Sequence, residues 1–206
     1  MNETILIVFL LIIIIIFIYL HFKQIKLVEY YGEKFIVRNE TNSDIAAQYI
    51  YKIKNKLYTL LECINTNNKI NLNLNNKYKK YEKYLLKSVE DTILKFKNNQ
   101  IKFRENTENN DLTSYTIDKQ EIVICLRKKN NKNEFENFNT IMYVLIHELA
   151  HVLNDETGHG EKFIYINTRL LEYATKICKK LDIYNYTNYK KYPEIYCGME
   201  VNQTLL

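Results

Sequence analysis

Tryptophan is absent from this chain, proline occurs once and glycine four times. Asn, Lys, Ile and Tyr fill the space they leave, a bias of AT-rich coding rather than of chemistry. The Asn runs around residues 65–76, 106–110 and 130–133 therefore read as loops with a biased filler. None of the four cysteines, Cys63, Cys125, Cys178 and Cys197, forms a C-x-x-C pair, which argues against a cysteine zinc knuckle. A chain of 206 residues is too large to need covalent staples, so free, mostly buried thiols are the expectation. A basic stripe with interleaved aromatics is also missing, so nucleic acid is not an expected partner. Disorder is excluded from the other side, because 47% of the residues are hydrophobic. The length suits one domain with an appendage.

The appendage is the long apolar run from Ile5 to Leu20. With Thr4, His21 and Phe22 it reaches the ~17–25 residues of a membrane-spanning helix. A cleaved secretory signal needs positive charge before such a run and small residues after it; here Glu3 precedes it and Lys23-Gln24-Ile25-Lys26 follows. The expectation is a retained transmembrane anchor over residues 1–22, contacting the membrane through residues 5–22. A juxtamembrane connector, residues 23–40, follows and can hold a strand at residues 34–38. The net charge of +5 is uneven: −1 over residues 1–22, +9 over residues 23–104 and −3 over residues 105–206. Lys23, Lys26, Lys34 and Arg38 suit an anionic membrane surface. By the positive-inside rule they place the body on the cytoplasmic side and the N-terminus outside. A solvated, Lys-rich helical surface accounts for the same charge run equally well.

Beyond the connector, Ile45, Tyr49, Ile53, Leu57, Leu60 and Ile64 recur every three or four residues, which predicts an amphipathic helix with Thr41, Asn42 or Ser43 as its cap. A second helical stripe runs through Tyr78, Tyr81, Leu85, Val89, Thr92 and Phe96. Residues 98–113 are polar and read as irregular. Ile122 to Leu126 have strand character. Residues 138–153 form a strongly apolar helix that Asn137 or Asn139 can cap. After a loop with Gly158 and Gly160, a further helix runs through Phe163, Ile166, Leu170, Ala174, Ile177 and Leu181. The tail, residues 184–206, is Tyr-rich and extended, with room for a short strand near residues 196–201.

The apolar helix carries His147-Glu148-Leu149-Ala150-His151, an H-E-x-x-H motif. Histidines four apart stand one turn apart on one helix face, where a single tetrahedral Zn²⁺ can take both. Glu148 is then placed as a general base for a metal-activated water. A charged residue in an apolar helix is costly unless it serves a site. The chain has four histidines, and all but His21 fall in this one stretch. A catalytic zinc needs a third protein ligand. His159 is the next candidate; Glu172 is the alternative, although the hydrophobic repeat turns it away from the core. A strand leading into such a helix can hold an extended substrate by β-augmentation, and residues 120–127 would be that strand. Tyr192 and Tyr196 are candidate oxyanion stabilisers.

The stretch HELAHVLNDETGHGEKF resembles the WLM and SprT families of minimal metalloproteases, whose pattern is H-E-x-x-H, a variable loop, then H-G-x-x-F. In that pattern the His before the Gly is the third ligand, which maps onto His159, with Gly160 and Phe163 matching the rest. The S-Y-x-I-x-K and I-C-L-R segments, with the closing Y-P-E-I-Y-C-G-M, look like WLM-type proteins of large DNA viruses. The resemblance covers roughly residues 41–206. It implies an α+β fold in which the membrane helix precedes a mainly helical zincin-like domain with a small sheet beside the metal helix. It implies a zinc peptidase with one Zn²⁺ per chain on His147, His151 and His159, Glu148 as general base, and a protein or peptide as substrate. A non-catalytic structural or assembly protein that keeps zinc for folding is the alternative, and a fourth ligand such as Cys197 or Glu172 would favour it. The SprT likeness also suggests processing of DNA–protein crosslinks; the expected anchor and the absence of a DNA-binding zinc ribbon argue against that.

Overall fold

A computed structural model describes residues 3–67, 75–107 and 113–203; parts of the Asn-rich loops at 65–76 and 106–110 lie outside these. The chain is α+β. Helix α1 (Glu3–Lys23) is followed by β1 (Ile25–Tyr30), β2 (Glu33–Arg38), α2 (Ser43–Thr66) and α3 (Asn76–Lys97). Three short strands come next, β3 (Lys102–Glu105), β4 (Tyr115–Ile117) and β5 (Glu121–Ile124). Then come α4 (Phe138–Leu153) and α5 (Glu161–Glu172), a π-helical turn (Tyr173–Ile177), a 3-10 turn (Lys179–Leu181), and the terminal hairpin of β6 (Glu194–Tyr196) and β7 (Met199–Val201).

Helix α1 corrects the expected anchor. Its side chains are described at residues 5–16 and at Tyr19, and all of these are exposed. Among the described residues no helix is long and apolar enough to cross a membrane. The transmembrane helix, and with it the single-pass placement of the body on the cytoplasmic side, is therefore not supported.

The residues read as a connector are folded: β1 and β2 form an antiparallel hairpin turned by Tyr31 and Gly32, both at positive φ. The core lies between α2, α3, α4 and the sheet. Ile50, Ile53, Leu57, Leu60 and Ile64 of α2, Leu85 and Val89 of α3, and Leu145, Ile146 and Leu149 of α4 are all fully buried. Each of those side chains contributes about 1.5–3 kcal/mol by leaving water. The fully buried Glu82 on α3 accepts from Arg169 Nη2 at 3.0 Å and Nε at 3.2 Å, and from the Tyr165 hydroxyl at 2.6 Å. That network ties α5 to α3.

The sheet corrects the expected substrate strand. Its order is β3-β5-β4, with β5 parallel to β3 and antiparallel to β4. Strand β5, inside residues 120–127, is thus central and has both edges paired. Residues 118 and 119 form the β4–β5 turn, with φ of 47° and 58°. The edge strand beside α4 is β4.

The cysteines also differ from expectation. All four are paired, Cys63 with Cys178 and Cys125 with Cys197, at Cα–Cα distances of 6.3 and 6.4 Å. Sequence spacing hid this, because the partners are 115 and 72 residues apart and meet only once the chain has folded. The first bond joins the end of α2 to the chain after the π-turn. The second joins the end of β5 to the turn of the β6–β7 hairpin.

Candidate metal centre

Asn137 starts α4 by accepting the amide hydrogens of Asn139 and Thr140. The far end of α4 is held from α3, where Tyr84 and Ser88 donate to the Leu153 carbonyl at 3.0 and 2.7 Å. His147 and His151 stand between these fixed ends. The chain then loops through residues 154–160. Gly158 has φ of +77°, a conformation that disfavours any side chain. Gly160 has φ of −62° and a Cβ there would meet nothing closer than 3.7 Å, so the tight turn belongs to Gly158 rather than to Gly160. Lys162, nearly buried over the Tyr84 ring, pairs with Asp155 and closes the loop.

This path brings His159 back onto α4. Its Nε2 lies 3.1 Å from His147 Nε2 and 3.2 Å from His151 Nε2. The ring of Phe163 is buried and contacts all three imidazoles, stacking on His151 at 4.3 Å and meeting His147 and His159 edge-on at 5.0 and 4.8 Å. His147 and His151 are half-buried and His159 is exposed, so the cluster opens to solvent on one side.

Three ring nitrogens aimed at one point repel each other unless a cation sits between them, because a proton can bridge only one pair. Two tetrahedral ligands on Zn²⁺ at ~2.05 Å stand about 3.3 Å apart, close to the separations seen here. The donor set, three neutral imidazoles with one side open, fits zinc. Burial, and then repulsion from the neighbouring histidines, pushes the pKa of His147 down to about 4. Burial likewise lowers His151 to about 4, helped by His159 and Lys119. Both rings are therefore unprotonated and able to bind metal near neutral pH.

Glu148 points to the opposite partner. It is buried, and desolvation pushes its pKa up to about 7. The Thr116 hydroxyl of β4 lies 2.9 Å from Glu148 Oε2 and 3.1 Å from its carbonyl oxygen, and this contact opposes the rise. Replacing Thr116 by Val removes that hydrogen bond, so the Glu148 carboxyl pKa is expected to rise further and Thr116→Ser to restore it, as read by carboxyl titration in ¹³C NMR; an unshifted titration in Thr116→Val would remove Thr116 from the site.

The other candidates lie elsewhere. Glu172 is bound to Arg169 and Lys176, and among the described residues the cluster of possible ligands holds only the three histidines. Cys197 is in its disulfide. Tyr196 is buried, with its hydroxyl 2.6 Å from Ser114 Oγ and donating to the Cys125 carbonyl at 2.8 Å, which occupies the group proposed for an oxyanion. Tyr192 is exposed and lies under Lys191. Sequence reasoning missed Thr116, which meets Glu148, and Asn167 of α5, whose amide nitrogen lies 3.4 Å from His147 Nδ1. Asn167 had a signal, a polar residue in the inward stripe between Phe163 and Leu170; Thr116 had none until β4 was placed against α4.

Residues 108–198 match the family model of the WLM domain. The chain is 32% identical over 179 residues to an uncharacterized protein of Acanthamoeba polyphaga mimivirus, covering 85% of this chain and 80% of that one. It is 38% identical over 85 residues to an uncharacterized protein of Invertebrate iridescent virus 6, covering 41% of this chain and 44% of the relative. A third similar protein, also uncharacterized, from Invertebrate iridescent virus 3, is 45% identical over 64 residues, 31% of this chain and 40% of its own length. No solved structure matches the chain.

Proposed function

The chain belongs to the WLM-domain family in the form found in large DNA viruses, and from that premise we propose that it is a single-zinc peptidase. The observation that carries this reading is the meeting of three imidazole nitrogens beside a buried carboxylate of the same helix. His147, His151 and His159 would hold the ion. When bound, zinc supplies Lewis acidity that polarises a peptide carbonyl and acidifies a water. Glu148 accepts the proton of the attacking water and returns it to the leaving amine. Its raised pKa suits both transfers, because a group near neutrality takes and gives a proton at similar cost.

The substrate in this reading is an extended polypeptide laid along β4. Strand β4 pairs with β5 on one side, and its Thr116 reaches the base. Main-chain hydrogen bonds to such an edge give affinity with little sequence preference. The alternative, a zinc site kept only for folding, calls for a fourth protein ligand. Two of its candidates, Glu172 and Cys197, are engaged elsewhere, and among the described residues no tail residue joins the three histidines.

Removing the metal is the direct test of dependence. Dialysis against a strong chelator is expected to abolish cleavage of an unfolded protein substrate, and one equivalent of Zn²⁺ to restore it. Equal cleavage by the chelated chain would overturn the proposal.

A further inference from the structure

Asn167 sits on α5 two turns after His159 and is buried, at 2% exposure. Its amide meets His147 Nδ1 at 3.4 Å, with the amide nitrogen toward the ring. Its Oδ1 is buried and has no hydrogen-bond partner. His147 directs Nε2 at the other two histidines. An imidazole that gives Nε2 to a metal carries its proton on Nδ1 and must donate it. With the amide nitrogen facing that proton, two donors oppose each other and neither amide atom is satisfied. An Asn amide turned by 180° keeps its shape and exchanges oxygen for nitrogen. The unpartnered oxygen then accepts the Nδ1 proton.

We infer that Asn167 is the positioning residue of the site: its side-chain oxygen accepts from His147 Nδ1 and fixes the ring tautomer and orientation that present Nε2 to the metal. This rests on the zinc-site reading above. The reason an asparagine occupies the apolar face of α5 follows from it. Phe163, Ile166 and Leu170 around it are buried hydrophobics, and a polar residue among them costs stability unless it bonds. Helix α5 thereby contributes twice to the centre, with Phe163 packed on the rings and Asn167 orienting one of them. The metal helix α4 supplies ligands, and the helix after the third ligand sets their geometry.

The test compares the full-length parent with Asn167→Leu and Asn167→Asp, using Zn²⁺ alone as the probe. Affinity is read by competition with a chromophoric chelator, and the Nδ1 proton of His147 by long-range ¹H–¹⁵N correlation in the loaded protein. Asn167→Leu keeps the branching and number of side-chain heavy atoms and removes the acceptor; it is expected to bind zinc roughly 10–100-fold more weakly, the usual effect of losing such a partner, and to lose the protected Nδ1 proton. Asn167→Asp keeps an acceptor oxygen and is expected to stay within about threefold of the parent, again with the Nδ1 proton retained. Thermal unfolding in excess chelator reports whether each variant folds. Parent-like affinity in Asn167→Leu overturns the inference, as does equal weakening in both variants, which would mark packing rather than acceptance. A parent that binds no zinc refutes the zinc-site reading itself, and so is distinguishable from either of those outcomes.

Discussion

Glu148→Gln is expected to keep one zinc per chain and to lose hydrolysis of a protein substrate by about three orders of magnitude, within the ~10²–10⁴ range for removing a general base. The carboxamide has the volume of the carboxylate and its oxygen still accepts from Thr116, so packing between α4 and β4 is conserved. The three histidines are untouched. Only the proton acceptor disappears. The buried position of Glu148 makes the substitution mild for the fold, because the raised pKa shows that ionising this group is unfavourable there. Cleavage of the same substrate by Glu148→Gln at the parent's rate would show that another group takes the proton. Loss of activity accompanied by loss of zinc would place Glu148 in the metal's surroundings as a structural group instead.

His159→Ala is the second large effect. It removes one of the three proposed ligands, so zinc affinity is expected to fall by more than the ~10–100-fold typical of an outer partner, and activity with it. The fold should persist, since His159 is exposed and the loop around it is tied by Lys162 and Asp155. Glu172→Ala, by contrast, is expected to bind zinc as the parent does, because Glu172 pairs with Arg169. A competition assay on the two variants separates the candidates; the reverse result would move the third ligand to α5. Acidification acts at the same groups. Because His147 and His151 are held down to about 4, proton competition for those two rings should be weak above pH 5 and grow below it.

The metal helix was legible because chemistry and periodicity coincide there: two histidines one turn apart on an apolar stripe, with an asparagine at its start. The third histidine was legible from the clustering of His147, His151 and His159 in one stretch and from the family pattern, but not from periodicity, since residues 154–160 carry no period that says where the loop returns. The stripes of α2 and α3 were read from their spacing and are buried at Ile53, Leu57, Leu60 and Ile64 and at Leu85, Val89, Thr92 and Phe96, whereas Ile45, read into the first, is exposed. Glu82 was overlooked, although a carboxylate in line with Leu85 and Val89 demands a buried cation, and Arg169 supplies it. The long helix expected after His159 stops at Glu172 and continues as a π-turn. Ile177 and Leu181, read as core, are exposed.

Pairing between distant segments was the least legible feature. The strand was read at residues 120–127 alone, but residues 118 and 119 at positive φ fold Tyr115–Ile117 back onto it as a hairpin. That fold moves the open edge from β5 to β4 and brings Thr116 against Glu148. The disulfides belong to the same class, since contacts 115 and 72 residues apart leave no local trace. The apolar N-terminal run misled in a different way: composition alone suggested an anchor, and no described helix has the apolar length for one.

The central claim is a zinc held by three histidines with its remaining position open. X-ray absorption at the zinc edge of the purified full-length chain tests it most directly. The expected spectrum has one zinc per chain with three imidazole nitrogens and one oxygen that exchanges with solvent. A fourth protein ligand, sulfur or carboxylate, or a chain that retains no zinc, would contradict it.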